Sequence, residues 1–299
     1  DIISFASVNW EVLPCLNVMA QFNYKHGEQI TDKYFPKKYS ERGVFNDGYG
    51  SIDNWKDDNI VFEAYATFDR TFAEKHRLTV MGGYSYENYQ SRSSSLASKG
   101  FINESLGNEN LAAGDSETYS IGNGSYKTEL VSALTRINYT FDNRFLFTFT
   151  ARADGSSKFA KGNRWAFFPA VSVGWRIDKE NFMQNVRAVD VLKLRGSVGE
   201  MGNQAIGNYE YLMAVLANKS YNYSFGDVLS GGAAIKDFVD ENISWETTRT
   251  YNLGLDFEAF DHRLLFSVDL YKKRTEGILR DVKIPAQIGN CLLYTSDAA

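Results

Sequence analysis

The sequence predicts an all-β protein whose antiparallel strands form part of a transmembrane β-barrel, and three observations carry that prediction. Apolar and polar residues alternate with a period of two along most of the chain. The connections between the alternating segments segregate, with short turns at one end and long polar loops at the other. In an outer-membrane barrel these are the periplasmic turns and the extracellular loops. Aromatic residues, 15% of the chain, gather near the ends of apolar strand faces, as an interfacial girdle requires.

About ten strands follow from the alternation, several near the 9–11 residues that cross a bilayer when tilted. Ser4 to Trp10 is the first. Leu16, Val18, Ala20, Phe22 and Tyr24 share one face of the second. Ile60 to Asp69 and Arg77 to Tyr89 follow. Val131, Ala133, Ile137, Tyr139 and Phe141 face one way, and Ser132, Arg136, Asn138 and Thr140 the other. Phe145, Phe147, Phe149, Ala151 and Ala153 oppose Thr148, Thr150, Arg152 and Asp154. Trp165 to Ile177, Val191 to Val198, Thr247 to Ala259 and Leu264 to Lys272 complete the set. Tight turns fall at Leu13-Pro14, Ala73 to His76, Asp142 to Arg144 and Asp261 to Arg263; Phe141 to Phe147 and Phe260 to Phe266 are near copies of each other. The long loops are expected at Lys25 to Asn59, Gln90 to Ser125 and Gly199 to Glu246, longer than a compact soluble domain usually carries. Asp178 to Asp190 is a medium connection at the short-turn end, with a helical turn expected at Glu180 to Met183.

Composition sets further limits. The chain has 299 residues, with 32 basic against 37 acidic side chains and a net charge of −5. No basic face for nucleic acid is expected from that balance. The mean hydropathy is −0.35, and no segment approaches the roughly 20 continuous apolar residues of a spanning helix. A membrane barrel is compatible with such values, because its alternation keeps average hydropathy low. Cys15 and Cys291 are the only cysteines, too few for a disulfide framework or a cysteine zinc site. The chain opens at Asp1 with no signal-peptide pattern, and a piece of a longer protein is expected. A soluble β-sandwich or propeller shares the alternation, but not the long strands, the sorted loops or the aromatics Phe141, Phe145, Trp165, Trp175, Phe257 and Phe260 near strand ends.

Three ordered blocks then carry a resemblance. Arg152-Ala153-Asp154-Gly155-Ser156-Ser157-Lys158-Phe159 leads through Gly162-Asn163-Arg164-Trp165 to Phe168-Pro169-Ala170-Val171-Ser172-Val173-Gly174-Trp175-Arg176. Leu192-Lys193-Leu194-Arg195-Gly196-Ser197-Val198-Gly199 precedes Gly202-Asn203-Gln204-Ala205-Ile206-Gly207-Asn208-Tyr209. Trp245-Glu246-Thr247-Thr248 precedes Asn252-Leu253-Gly254-Leu255-Asp256-Phe257. In this order and spacing they resemble the SusC/RagA branch of TonB-dependent outer-membrane transporters of the Bacteroidetes, specifically through roughly residues 150 to 289. The resemblance implies a barrel of roughly 22 strands with a plugged lumen. It also implies import of glycans or peptides across the Gram-negative outer membrane, powered by TonB–ExbB–ExbD, with a SusD-like surface lipoprotein as lid. Residues 1–289 are expected to be part of the barrel domain, without the plug or the TonB box. Residues 290–299, which include Cys291, depart from the family and read as a non-native tail. A siderophore or cobalamin receptor, a passive porin and a soluble β adhesion or scaffold protein stay open as alternatives.

No catalytic constellation is present in the sequence, so no enzyme activity, cofactor or metal is expected. His26, His76 and His262 lie among charges at strand ends or turns, with no second ligand at metal spacing. Asp53, Asn54, Asp57 and Asp58 sit in the first expected loop, but without the order of a calcium loop. The lumen-facing candidates are Arg136, Arg152, Asp154, Lys193, Arg195 and Asp256, accompanied by Glu246, Glu258 and Asp269; each pairs with a neighbour, grips a plug or selects substrate. For the oligosaccharide or peptide, the candidates are loop aromatics: Trp55 in the first loop, and Tyr209, Tyr211, Tyr221, Tyr223 and Phe225 in the third. The alternative role for these rings is to form small loop cores or to meet the lid protein. Outer-membrane lipid is the partner of the apolar faces.

Overall fold

The computed structural model describes residues 1–183, 185–186, 188–216, 223–226, 228–235, 238–283 and 292–295. Ten strands hydrogen-bond in sequence order into one sheet. They are β1 (Ile2–Leu13), β2 (Leu16–Phe35), β3 (Tyr49–Phe72), β4 (His76–Lys99), β5 (Ser120–Phe141), β6 (Phe145–Ser156), β7 (Trp165–Arg176), β8 (Val189–Asn203), β9 (Glu246–Ala259) and β10 (Leu264–Glu276). All ten strands expected from the alternation are present. From β5 through β10 the neighbouring strands pair antiparallel. The medium connection holds 3-10 turns at Ile177–Lys179 and Asn181–Met183.

The loop boundaries require correction. Strand β2 runs on to Phe35, β3 begins at Tyr49, β4 ends at Lys99, β5 begins at Ser120 and β8 ends at Asn203. Asp53 to Asp58 and Trp55 therefore belong to strand β3 and not to a loop. The reason is physical: past the end of the hydrocarbon both faces of a strand meet water. The apolar/polar alternation that betrays a strand disappears while the backbone ladder continues.

Two compact units divide the chain. The first comprises Asp1–Ser7, Gln21–Phe62 and Tyr86–Glu129. Its loops gather on Phe101, fully buried and packed edge-on against Tyr34 at 5.3 Å between ring centroids. The short helix α1 (Glu41–Asn46) is capped by Ser40, whose hydroxyl accepts the Gly43 N–H, and closes through Asp47 in the left-handed region.

The second unit comprises Val8–Ala20, Glu63–Ser85 and Leu130–Ala299, and its register sorts the two faces without ambiguity. Directly opposed residues share a face. Tyr139, Phe147, Val173, Gly196, Leu253 and Leu270 form one cross-strand row, and Phe141, Phe145, Trp175, Leu194, Leu255 and Val268 form the next. This is the apolar face. Its ring pairs Tyr139–Phe147, Phe141–Phe145 and Phe145–Trp175 lie 6.2–6.4 Å apart, an aromatic belt beside the short turns. The opposite face carries Asn138 with Thr148 and Ser172, and Lys193 with Asp256 and Ser267.

Among the described residues of the second unit, the large buried apolar side chains are concentrated. Phe159, Phe168, Ile206, Ile243 and Trp245 form a buried cluster, with Leu130, Ala166 and Leu279 packed against it. Residues Leu292–Thr295 pair with Arg280–Lys283 and with Phe238–Val239.

Candidate functional site

In the first unit, alternation along β3 divides the acidic stretch. Asp53, Trp55 and Asp57 project to one face and Asp58 to the other, where it takes the Tyr24 hydroxyl at 2.8 Å and the His26 ring at 2.9 Å. The strand thus separates the carboxylates that the sequence places together. Among the described residues no three His, Cys, Asp or Glu side chains converge as metal ligands.

The Trp55 face holds a polar groove of about 520 Å³. Gln29 and Thr31 of β2, Asp53 and Trp55 of β3, Ser93 and Ser95 of β4, and Gly122 to Gly124 of β5 line it. Its hydrogen bonds hold it in shape. The Ser95 hydroxyl donates to Asp53 at 2.7 Å; the Trp55 indole N–H and the Tyr89 hydroxyl both donate to the same oxygen of Asp57, at 2.6 and 2.8 Å. Tyr89 rests against Tyr126 at 5.8 Å. Gly124 keeps the floor open, since a Cβ there would stand 3.3 Å from Ser93 Oγ. Trp55 is 45% exposed and stands beside hydroxyls, amides and a carboxylate.

In the second unit the polar face carries every charge predicted for the lumen, and most are neutralised. Arg195 is the clearest case. It forks onto Asp256 at 3.0 and 3.1 Å and reaches Asp269 at 2.8 Å, while Ser267 donates to Asp256 at 2.8 Å. The row that makes this possible is Gly174, Arg195, Gly254 and Asp269. A Cβ on Gly254 would lie 2.6 Å from the guanidinium carbon, so the glycine lets Arg195 lie across the sheet. Arg152 binds Asp154 at 2.7 and 2.9 Å and Ser132 at 3.1 Å. Arg136 lies on the same face opposite Thr150, and Lys193 opposite Asp256. Glu246 accepts from Asn203 at 3.1 Å.

The buried cluster ties the loop-side ends of these strands together. Trp245 packs on Phe159 and Phe168, at 5.2 and 5.6 Å between centroids, and its indole N–H donates to the Arg164 carbonyl at 2.9 Å. Lys158 donates to the Ile206 carbonyl at 3.0 Å, and Asn163 to that of Asn242 at 3.0 Å. Phe168 covers Gly202 so closely that a Cβ there would stand 2.0 Å from its ring. These are the three sequence blocks that carry the resemblance, and they meet in one clasp.

The family model for the TonB dependent receptor-like β-barrel matches residues 6–296. The chain belongs to that family. It is 37% identical over 234 residues to TonB-dependent receptor P3 of Formosa agariphila, covering 77% of this chain and 23% of that protein. It is 44% identical over 161 residues to TonB-dependent receptor SusC of Bacteroides thetaiotaomicron, covering 53% of this chain and 16% of SusC. The solved structure of the RagAB peptide transporter superposes with a TM-score of 0.86 at 26% identity, over 98% of this chain and 32% of that one. The chain thus spans about a quarter of the length of the Formosa receptor. It is a SusC/RagA-type barrel segment of the outer membrane, and its apolar face is the one that meets lipid.

Within this TonB-dependent barrel the predicted substrate aromatics fare differently. Trp55 lines the groove. Tyr209, in the left-handed region at φ 65°, and Tyr211 follow the clasp in the second unit. Tyr223 and Phe225 belong to a short strand, Tyr223–Phe225, paired with Val228–Ser230, and Tyr221 lies outside the described residues. The groove partners Gln29, Thr31, Ser93, Ser95 and Asn123 were not among the candidates. The repeated Ser91 to Ser95 tract and the Gly122-Asn123-Gly124 turn signal are the traces they leave in sequence.

Proposed function

We propose that the complete protein imports an oligosaccharide across the outer membrane. It draws energy from TonB–ExbB–ExbD and uses a SusD-like surface lipoprotein as lid. In this reading residues 1–289 are part of the barrel domain, and the tail 290–299 takes no part in transport. The groove at Trp55 carries the reading. A half-exposed indole offers a flat apolar platform for a sugar ring, while Gln29, Asp53, Ser93, Ser95 and Asn123 supply the donors and acceptors that hydroxyl groups need. No catalytic step belongs to this role.

A peptide is the second substrate class, favoured by the likeness to the RagAB peptide transporter. Uptake by cells carrying the complete gene separates the two. Panels of oligosaccharides and of oligopeptides compete for uptake, and Trp55→Ala is compared with Trp55→Phe at equal surface levels. For a saccharide, Trp55→Ala weakens uptake roughly tenfold, equivalent to about 1.4 kcal/mol, and Trp55→Phe recovers part of it. Competition by peptides alone, with Trp55→Ala unaffected, rejects the oligosaccharide reading.

A further inference from the structure

The apolar face of the second unit ends abruptly. Along β10 its outward residues are Leu264, Phe266, Val268 and Leu270, then Lys272, Arg274 and Glu276. Along β9 they are Phe257, Leu255, Leu253 and Tyr251, then Arg249, and along β8 Leu194 and Val198 give way to Glu200. At about 3.4 Å per residue, Leu264 to Leu270 spans roughly 20 Å along the strand, or about 15 Å of height at a barrel's usual tilt, more than half of its apolar band. The change falls within one row, first at Lys272 on β10 and at the next row on β8 and β9. The row Val198–Tyr251–Lys272 is followed by the row Glu200–Arg249–Arg274.

Those rows enclose a groove of about 370 Å³ lined by Glu200, Thr247, Arg249, Tyr251, Lys272, Arg274 and Glu276. Arg249 forks onto Glu200, and Arg274 pairs with Glu276 at 2.8 Å in full view of solvent. Lys272 makes no ion pair among the described residues. The groove therefore has one more cation than it has carboxylates, and a tyrosine marks the step from leucine to charge. Side-chain direction is fixed by the register of β9 and β10, so a further strand pairing with β10 leaves these groups facing outward.

We propose that this groove binds the phosphate of an outer-leaflet lipid, with Lys272 and Arg274 as its grip, Arg249 behind them and Tyr251 at the level of the headgroup. Arginine and lysine are the side chains suited to phosphate oxygens. A lipid bound in this way sets its acyl chains against Leu253 and Leu270. The site lies on the apolar face and shares no residue with the polar groove at Trp55, so the proposal does not rest on the transported substrate.

The test uses the complete protein in phosphatidylcholine nanodiscs doped with bisphosphorylated lipid A, with lipid A stripped of phosphate, or with neither. Retained lipid is counted by native mass spectrometry. The protein is expected to retain the bisphosphorylated form selectively. Lys272→Gln with Arg274→Gln lowers retention by roughly fivefold for each cation removed, while Lys273→Gln, on the opposite face of β10, changes nothing. Wild-type heat-modifiable migration of each variant shows that it is folded. Equal retention of the phosphate-free lipid, or no loss in the double variant, overturns the proposal. Displacement of the lipid by inorganic phosphate alone overturns its assignment to a lipid and indicates a site for a soluble anion.

Discussion

At the scale of single residues, the two faces of a strand differ in what a charge costs. Val173 stands in the middle of the apolar row between Phe147 and Gly196, and Ser172 beside it faces Thr148 and Ser197. Val173→Arg is expected to destabilise the complete protein by about 1–3 kcal/mol, below the full midplane cost because the aromatic belt adjoins its row, and Ser172→Arg by much less, because only the first drives a guanidinium into hydrocarbon. Unfolding titrations in urea with lipid vesicles measure both. The short-turn end supplies a pH test. Asp178 lies just outside β7. Burial alone pushes its carboxyl up, but hydrogen bonds from Arg176, both at 2.7 Å, and from the Leu192 N–H at 3.1 Å outweigh that, holding it below the usual aspartate range. A lowered folded value means stabilisation that is complete above the unfolded value, about 4, and fades as pH falls through the folded one. The difference in melting temperature between the complete protein and its Asp178→Asn variant is expected to be constant at neutral pH and to shrink below about pH 4. A difference independent of pH refutes the assignment.

Elements show what can and cannot be read from sequence. Strands β6, β7 and β9 were legible nearly end to end because one face meets lipid and the other water, and that contrast writes the period into the sequence. The loop-side extensions of β2, β3, β4 and β5 were not, since Asp53 to Asp58 and Ser91 to Ser95 are polar on both faces. Trp55 was assigned to a loop because the whole of Lys25 to Asn59 lacks the alternation, whereas it stands in β3. The clasp was half legible. Phe159, Phe168 and Trp245 all stand in the family blocks, yet contact between residues so far apart in sequence leaves no local pattern. Its energy is testable. Trp245 is 9% exposed and holds both phenyl rings, so Trp245→Ala is expected to cost about 3–5 kcal/mol and to expose the loop after β8 to protease before the barrel itself unfolds. The short turns carry strain of the opposite kind. Ala73 and Glu74 sit in the left-handed region at φ 46° and 58°, which costs an L-residue roughly 1–2 kcal/mol. Glu74→Gly is expected to raise stability by up to about 1 kcal/mol, measured by the same urea titration.

At the scale of the molecule, the order of the sheet places β1 and β10 at its two ends, and both are exposed along their whole length. Every interior strand has neighbours on both sides for its N–H and C=O groups, and an end strand has a neighbour on one side alone. Inside a bilayer no water replaces the missing partners, and each unpaired group costs several kcal/mol. The polar face is arranged differently. Arg195 pairs with Asp256 and Asp269, and Arg152 with Asp154, within the sheet itself. What the segment lacks by itself is backbone pairing at its ends. Residues 1–289 expressed alone in a host lacking the transporter are therefore expected to be recovered in aggregates, without a heat-modifiable band in the outer-membrane fraction. Uptake is expected from the complete gene with TonB present and not from the segment. Replacing Arg195 by Gln in the complete gene separates the two sources of failure. Assembly should then persist, because the loss falls on one charge network and leaves the strand ladder whole. Stable insertion of the segment alone, with uptake restored, shows that unpaired edges are not what limits it.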